Sequence, residues 1–115
     1  MIMWTARRSF IEKHRDVMVD FMEDMLTITA WFKDPKNHDE VAQIASKITK
    51  APPERFGWLF TKQDTYRAPN MMPNLEALQR NVDTVRELGF VKNKIDISKH
   101  SDTSLIKDAL ARMKK

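Results

Sequence analysis

Apolar residues recur at helical spacing along most of this chain, and its two glycines and five prolines fall where those patterns stop. Between Ser9 and Asp34 there is neither breaker. At roughly 100° per residue, Phe10, His14, Val17, Phe21, Met25, Ile28 and Phe32 lie within about 80° of one another, and Met18 and Met22 widen the stripe. That pattern predicts one long amphipathic helix over 8–33, burying Phe10, Val17, Phe21, Met25 and Ile28 and stopped by Pro35.

Asn37 stands three residues before Glu40, a spacing that allows reciprocal capping of a second helix over 38–49, with Val41, Ile44, Ala45 and Ile48 on one face. Ala51-Pro52-Pro53 ends it and favours a short third helix over 53–61. There Phe56, Leu59 and Phe60 would dock on the long helix or its neighbour, while Trp58 points elsewhere, to seal the proline-rich start or to meet a partner. Residues 62–72 read as a polar loop in which Asp64 can fix Arg67 beside Tyr66.

From Pro73 the helical period returns through Leu75, Leu78, Val82, Val85 and Leu88. Gly89 then suits a left-handed helix end, with Phe90 folding back on the last turn. Ser98 or Ser101 can cap a last helix that buries Leu105, Ile106, Ala109, Leu110 and Met113. The expectation is a single all-α domain over 1–115 with about five helices. Met1–Thr5 is the one candidate strand.

At 13.5 kDa such a domain should expose roughly 6,500 Å² once folded. Twenty basic and sixteen acidic residues leave a formal charge of +4, with the two signs interspersed. The absence of cysteine removes disulfides, thiol catalysis and thiolate metal ligands together. No apolar run approaches the roughly 20 residues that span a bilayer, so membrane insertion is not expected. MIMWTARRSF has its arginines after a short apolar piece, the reverse of a secretory signal; a standalone product is therefore expected in the cytoplasm.

Candidate chemistry is sparse. His14, His38 and His100 sit on different segments without metal-ligand spacing. His14, within the apolar stripe, reads as a packing residue. Asp16, Asp20, Glu23 and Asp24 form a solvated acidic face rather than a carboxylate pair with one member in an apolar pocket. Ser9, Ser46, Ser98, Ser101 and Ser104 lie in no nucleophile elbow, and no phosphate-binding glycine loop exists. No catalytic or metal residue, no ligand-binding residue and no cofactor is assigned. Arg7, Arg8, Lys13 and Arg15 at one end, with Lys107, Arg112, Lys114 and Lys115 at the other, are the phosphate contacts that a nucleic-acid reading would use, but acids dilute them on the same helices. Met18, Met22 and Met25 read as core filling.

The order of these signals resembles the C-terminal region of bacterial ABC-importer substrate-binding proteins of the nitrate, sulfonate, taurine and thiamine-precursor type. The resemblance runs over nearly the whole chain. It rests on the helix start at Arg8–Phe10 and His14–Asp16, on Asp34-Pro35 followed by Glu40–Ala42, on Leu88-Gly89-Phe90, and on Asp102, Ser104, Leu105 and Ala109. His14-Arg15 departs from the family, which often has a proline there. The resemblance implies the helical part of a two-lobed α/β binding protein whose helices cover a parallel sheet. It also implies a non-catalytic role in importing a small, anionic or nitrogen- or sulfur-containing solute, a periplasmic location and an ABC permease as partner.

The family's ligand contacts lie mainly outside the matched region, so no residue here inherits one. The alternatives are a helical protein-interaction module that no longer binds solute and a small helical nucleic-acid binder. Helices shaped to cover a sheet would leave an apolar face, and a dimer drawing on Trp4, Trp31, Trp58 and the methionines is the expected way to hide it.

Overall fold

His14 divides the long first helix in two. In the computed structural model, which describes residues 4–64 and 70–114, Arg8–Lys13 form α1 and Arg15–Lys33 form α2. His14 lies between them at φ −128° and ψ 37°, far from helical geometry. The hydrogen-bond ladder still runs through the joint: the His14 N–H donates to the Phe10 carbonyl, and the Met18 N–H to that of His14, each at 3.0 Å. The break is therefore a bend. His14 is half-buried, its ring 4.7 Å from that of Phe10.

Which side of α2 is packed corrects the sequence reading. Val19 and Leu26 are buried, and together with Leu105, Ile106 and Ala109 they make the core. Ile11, Met18, Met22 and Leu110 pack on its rim, as do Met71 and Met72 from the stretch expected to be a polar loop. The expected stripe lies about 110° further round the helix. Of its members Phe10, Val17 and Ile28 are exposed, and Phe21 and Met25 only half-buried. α2 is apolar over more than half its circumference, so periodicity alone did not say which half would be covered.

The covering element is α5, Ser104–Arg112, which lies on α2 through Leu105, Ile106 and Ala109. Met113, expected on this buried side, is exposed. The serines expected to cap α5 do not do so. The Asp102 carboxylate accepts from the Ser104 N–H at 2.8 Å and from its hydroxyl at 2.6 Å. Asp96 likewise caps a 3-10 turn at Ile97–His100, while the Ser101 hydroxyl donates to the Ile97 carbonyl.

After α2 comes α3, His38–Thr49, packed on α2 and on the turns that flank it, with Val41 and Ala42 buried and Ile48 open to solvent. Its expected reciprocal cap does not form. A 3-10 turn at Pro35–Asn37 precedes it, capped by Asp34, and the Asn37 side chain donates instead to the Trp31 carbonyl at 2.9 Å. The expected third helix shrinks to a 3-10 turn at Pro53–Phe56 followed by tight turns. Phe60 there has φ 57°, a left-handed conformation held by its N–H donating to Asp64, and its ring stacks on Phe32 at 5.1 Å. Docking on the long helix thus survives without a helical face. Trp58 is exposed. The Tyr66 and Arg67 contacts expected from the sequence lie outside the described residues.

α4, Leu75–Glu87, starts on the Asn74 side chain, which accepts from the Ala77 N–H. It ends as the sequence indicates: Gly89 has φ 82°, its N–H donates to the Arg86 carbonyl and that of Phe90 to Val85. The Phe90 side chain, however, stays exposed rather than folding back. No residue of α4 is buried. What tethers it is the Gln79 amide, which donates to the Ile95 carbonyl and accepts from the Ile97 N–H, both at 2.9 Å.

The described residues are thus all-α, with five helices, three 3-10 turns and no strand; Trp4 and Thr5 are irregular, and Met1–Met3 lie outside the described residues. No helix among them is long and apolar enough to cross a membrane. The arrangement is open. Its radius of gyration is 17.0 Å, against about 13 Å for a compact chain of this length. Its 9294 Å² of accessible surface exceeds the roughly 6,500 Å² expectation by about 2,800 Å².

Candidate functional site

Arg15, in the first turn of α2, reaches across to the start of α5. Its guanidinium donates to the Ser104 hydroxyl at 2.9 Å and to the Asp108 carboxylate at 2.6 Å. Ser104 passes its own proton toward Asp102, so Arg15, Ser104 and Asp102 form one polar chain along the helix seam. That chain holds Asp102 below the usual carboxylate range: first through the Ser104 hydroxyl, then its N–H, with the Arg15 and Arg8 charges adding to them.

Near the other end of α5, Arg112 faces the acidic side of α2. It donates to Asp20 at 2.7 Å and to Glu23 at 3.3 Å, with Asp16 at 3.8 Å. The acids are solvated, as expected, but three of them converge on one cation from 89 or more residues away. Nothing local in the sequence pairs them. Two of the arginines available to a nucleic-acid reading are therefore committed to carboxylates. Arg7, Arg8, Lys13, Lys107 and Lys114 remain exposed on separate parts of the surface, and Lys115 is outside the described residues.

Two grooves are open enough to examine as ligand sites. The larger, about 490 Å³, runs between α1 and the Ile97–His100 turn, past Arg8, Glu12, Arg15, His100, Ser101 and Asp102. Its cations and carboxylates balance, and Arg15 is already hydrogen-bonded within the seam. The second, about 360 Å³, lies between α3 and the Pro53–Phe56 turn with His38, Asp39 and Glu54 along it. Neither brings a nucleophile to a base. His14, His38 and His100 stay on different elements, and among the described residues no cluster of three His, Asp or Glu is arranged for a metal ion. Ser104 is engaged in the seam, Ser98 donates to Asp96 and Ser101 to the backbone.

Compared with protein-family models, curated proteins and solved structures, the chain matches none.

The residues behind the sequence resemblance have local structural roles. Asp34 and Asp102 cap, Gly89 closes a helix end, and Leu105 and Ala109 fill the core. The surface that sequence reasoning assigned to the interior is the most distinctive feature left. Val17, Met25 and Ile28 form the middle of an apolar strip along α2. Between Val17 and Met25, Trp4 meets Phe21 edge-on at 5.5 Å, and at the C-terminal end Phe60 stacks on Phe32. The signal was present in the sequence as a helix apolar on too many sides for one neighbour to cover.

Proposed function

We propose that this chain is a non-catalytic helical module that works by presenting an apolar helix face to another polypeptide surface. The observation that carries the reading is the pairing of a buried and an open stripe on one helix, beside an α4 in which no residue is buried. Apolar areas of several hundred Å² on a soluble protein ordinarily mark such a surface. The ion pairs between α2 and α5 support it, since they fix the orientation of α2 and with it the open stripe. An apolar fluorescent dye should bind the dilute chain and be displaced when Val17→Lys or Ile28→Lys places a charge on the strip. No dye binding to the unaltered chain would contradict the proposal.

A second reading follows from the same faces. Helices with one covered and one open apolar side suit a layer that packs on a sheet, as the resemblance to importer substrate-binding proteins implies. In that case the chain serves solute import in the periplasm, and the sheet and the ligand-gripping groups come from other polypeptide segments. The two readings share an apolar face and differ in what completes it. Calorimetric titration with nitrate, taurine and alkyl sulfonates is expected to show no saturable site on this chain alone. Saturable binding at physiological salt would favour import and would require a pocket beyond the two grooves described.

A further inference from the structure

The open part of the α2 face and the α4 stripe, of which no residue is buried, are similar in length. From Val17 to Ile28 the open part of the strip runs about 17 Å, with Phe21 against Trp4, and from Leu75 to Leu88 the α4 stripe runs about 20 Å, at 1.5 Å per residue. α4 carries Leu75, Leu78 and Val82 half-buried, then Val85 and Leu88 exposed, the last at 67%. Their borders carry opposite charge. Asp24 flanks the α2 strip beside Val17 and Ile28, and Arg86 flanks the α4 stripe beside Val82 and Leu75; among the described residues neither forms an ion pair. Within one chain the two faces do not meet, because Gln79 fastens α4 to the Ile95–Ile97 backbone rather than to α2.

We propose that the occupant of the α2 strip is α4 of a second copy of this chain, exchanged reciprocally about a twofold axis. This rests on the reading of the open face as an interaction surface and names its partner. The symmetry covers both faces of both copies with one kind of contact. The area suffices. The surface in excess of a compact chain is about 2,800 Å² per copy, whereas a standard stable interface takes about 800 Å² from each partner. The contact places Leu78 and Val85 on the middle line of the α4 stripe, with Leu88 at one edge and Arg86 at the other, where it faces Asp24 beside the α2 strip.

Light scattering over a concentration series, read beside apolar-dye binding, tests it with the unaltered chain and four kinds of variant. The expected mass is twice the 13.5 kDa of the chain. Val17→Lys and Leu88→Lys should each raise the dimer Kd at least about a hundredfold, since every substitution enters a twofold interface twice. Both positions are exposed in the single copy, so neither change should unfold it. Ile48→Lys, on α3 and 75% exposed, should leave the Kd unchanged. Arg86→Glu should weaken association about tenfold, and adding Asp24→Lys should restore it.

A 13.5 kDa species at every concentration that still binds dye would overturn the second copy as occupant while leaving the interaction face standing. The same mass without dye binding would overturn both, showing that the chain closes on itself. A dimer indifferent to Val17→Lys and Leu88→Lys would overturn the α2–α4 contact.

Discussion

Val17 and Val19 stand two positions apart on one helix, yet Val19 is 2% exposed and Val17 61%. The 200° between them carries one into the seam with α5 and the other onto open surface. Two identical side chains on the same helix thus report two different faces.

Truncating them should separate those faces energetically. Val19→Ala should cost roughly 1.5–3 kcal/mol, from lost burial and the cavity left behind. Val17→Ala should cost no more than about 0.5 kcal/mol in the dilute chain. Denaturant melts of the two variants check this, and equal losses would refute the assignment of the seam.

Ala109 has no exposed surface at the centre of the α2–α5 contact. Ala109→Leu should therefore overpack it and lower stability by about 1–3 kcal/mol. A neutral result in the same melts would show that the two helices separate readily.

The fastening of α4 depends on one side chain. Gln79→Ala removes both of its backbone partners on the Ile95–Ile97 stretch. Hydrogen exchange of α4 amides should quicken while those of α2 and α5 hold their protection, because the two units share few contacts. Uniform quickening throughout would mean that α4 is integral to the core.

Acid should loosen the α5 start. Asp102 has its folded pKa lowered, chiefly by the Ser104 hydroxyl. Its stabilising contribution is fully present above the unfolded value and is lost as pH falls through the folded one. Stability should decline below roughly pH 4, and Asp102→Asn should flatten that part of the curve while keeping a capping oxygen. Asp96, lowered by the Ser98 hydroxyl first, has the same sign and should leave a smaller residual slope.

The all-α class, the existence of α2 to α5 and the Gly89 helix end were legible because each rests on local chemistry: period, capping and left-handed backbone. The caps were partly misread, since Asp34, Asp96 and Asp102 outcompete the neighbouring Asn37 and serines as acceptors for backbone N–H groups. The covered side of α2 was not legible. Val17, Phe21 and Met25 make as good a stripe as Met18, Met22 and Leu26, and only the position of α5, some 90 residues later, selects between them. The convergence of Asp16, Asp20 and Glu23 on Arg112 was hidden for the same reason. Both are long-range facts.

The most direct measurement of the central claim uses the absence of cysteine in the chain. A single thiol introduced by Val17→Cys can be labelled by a maleimide at increasing protein concentration, with Ile48→Cys as the control. Open in the single copy and covered by a second, position 17 should label rapidly when dilute and about tenfold or more slowly when the chain is associated. Position 48 should label at one rate throughout. Equal rates at position 17 across the whole concentration range would contradict the claim that a second copy covers this face.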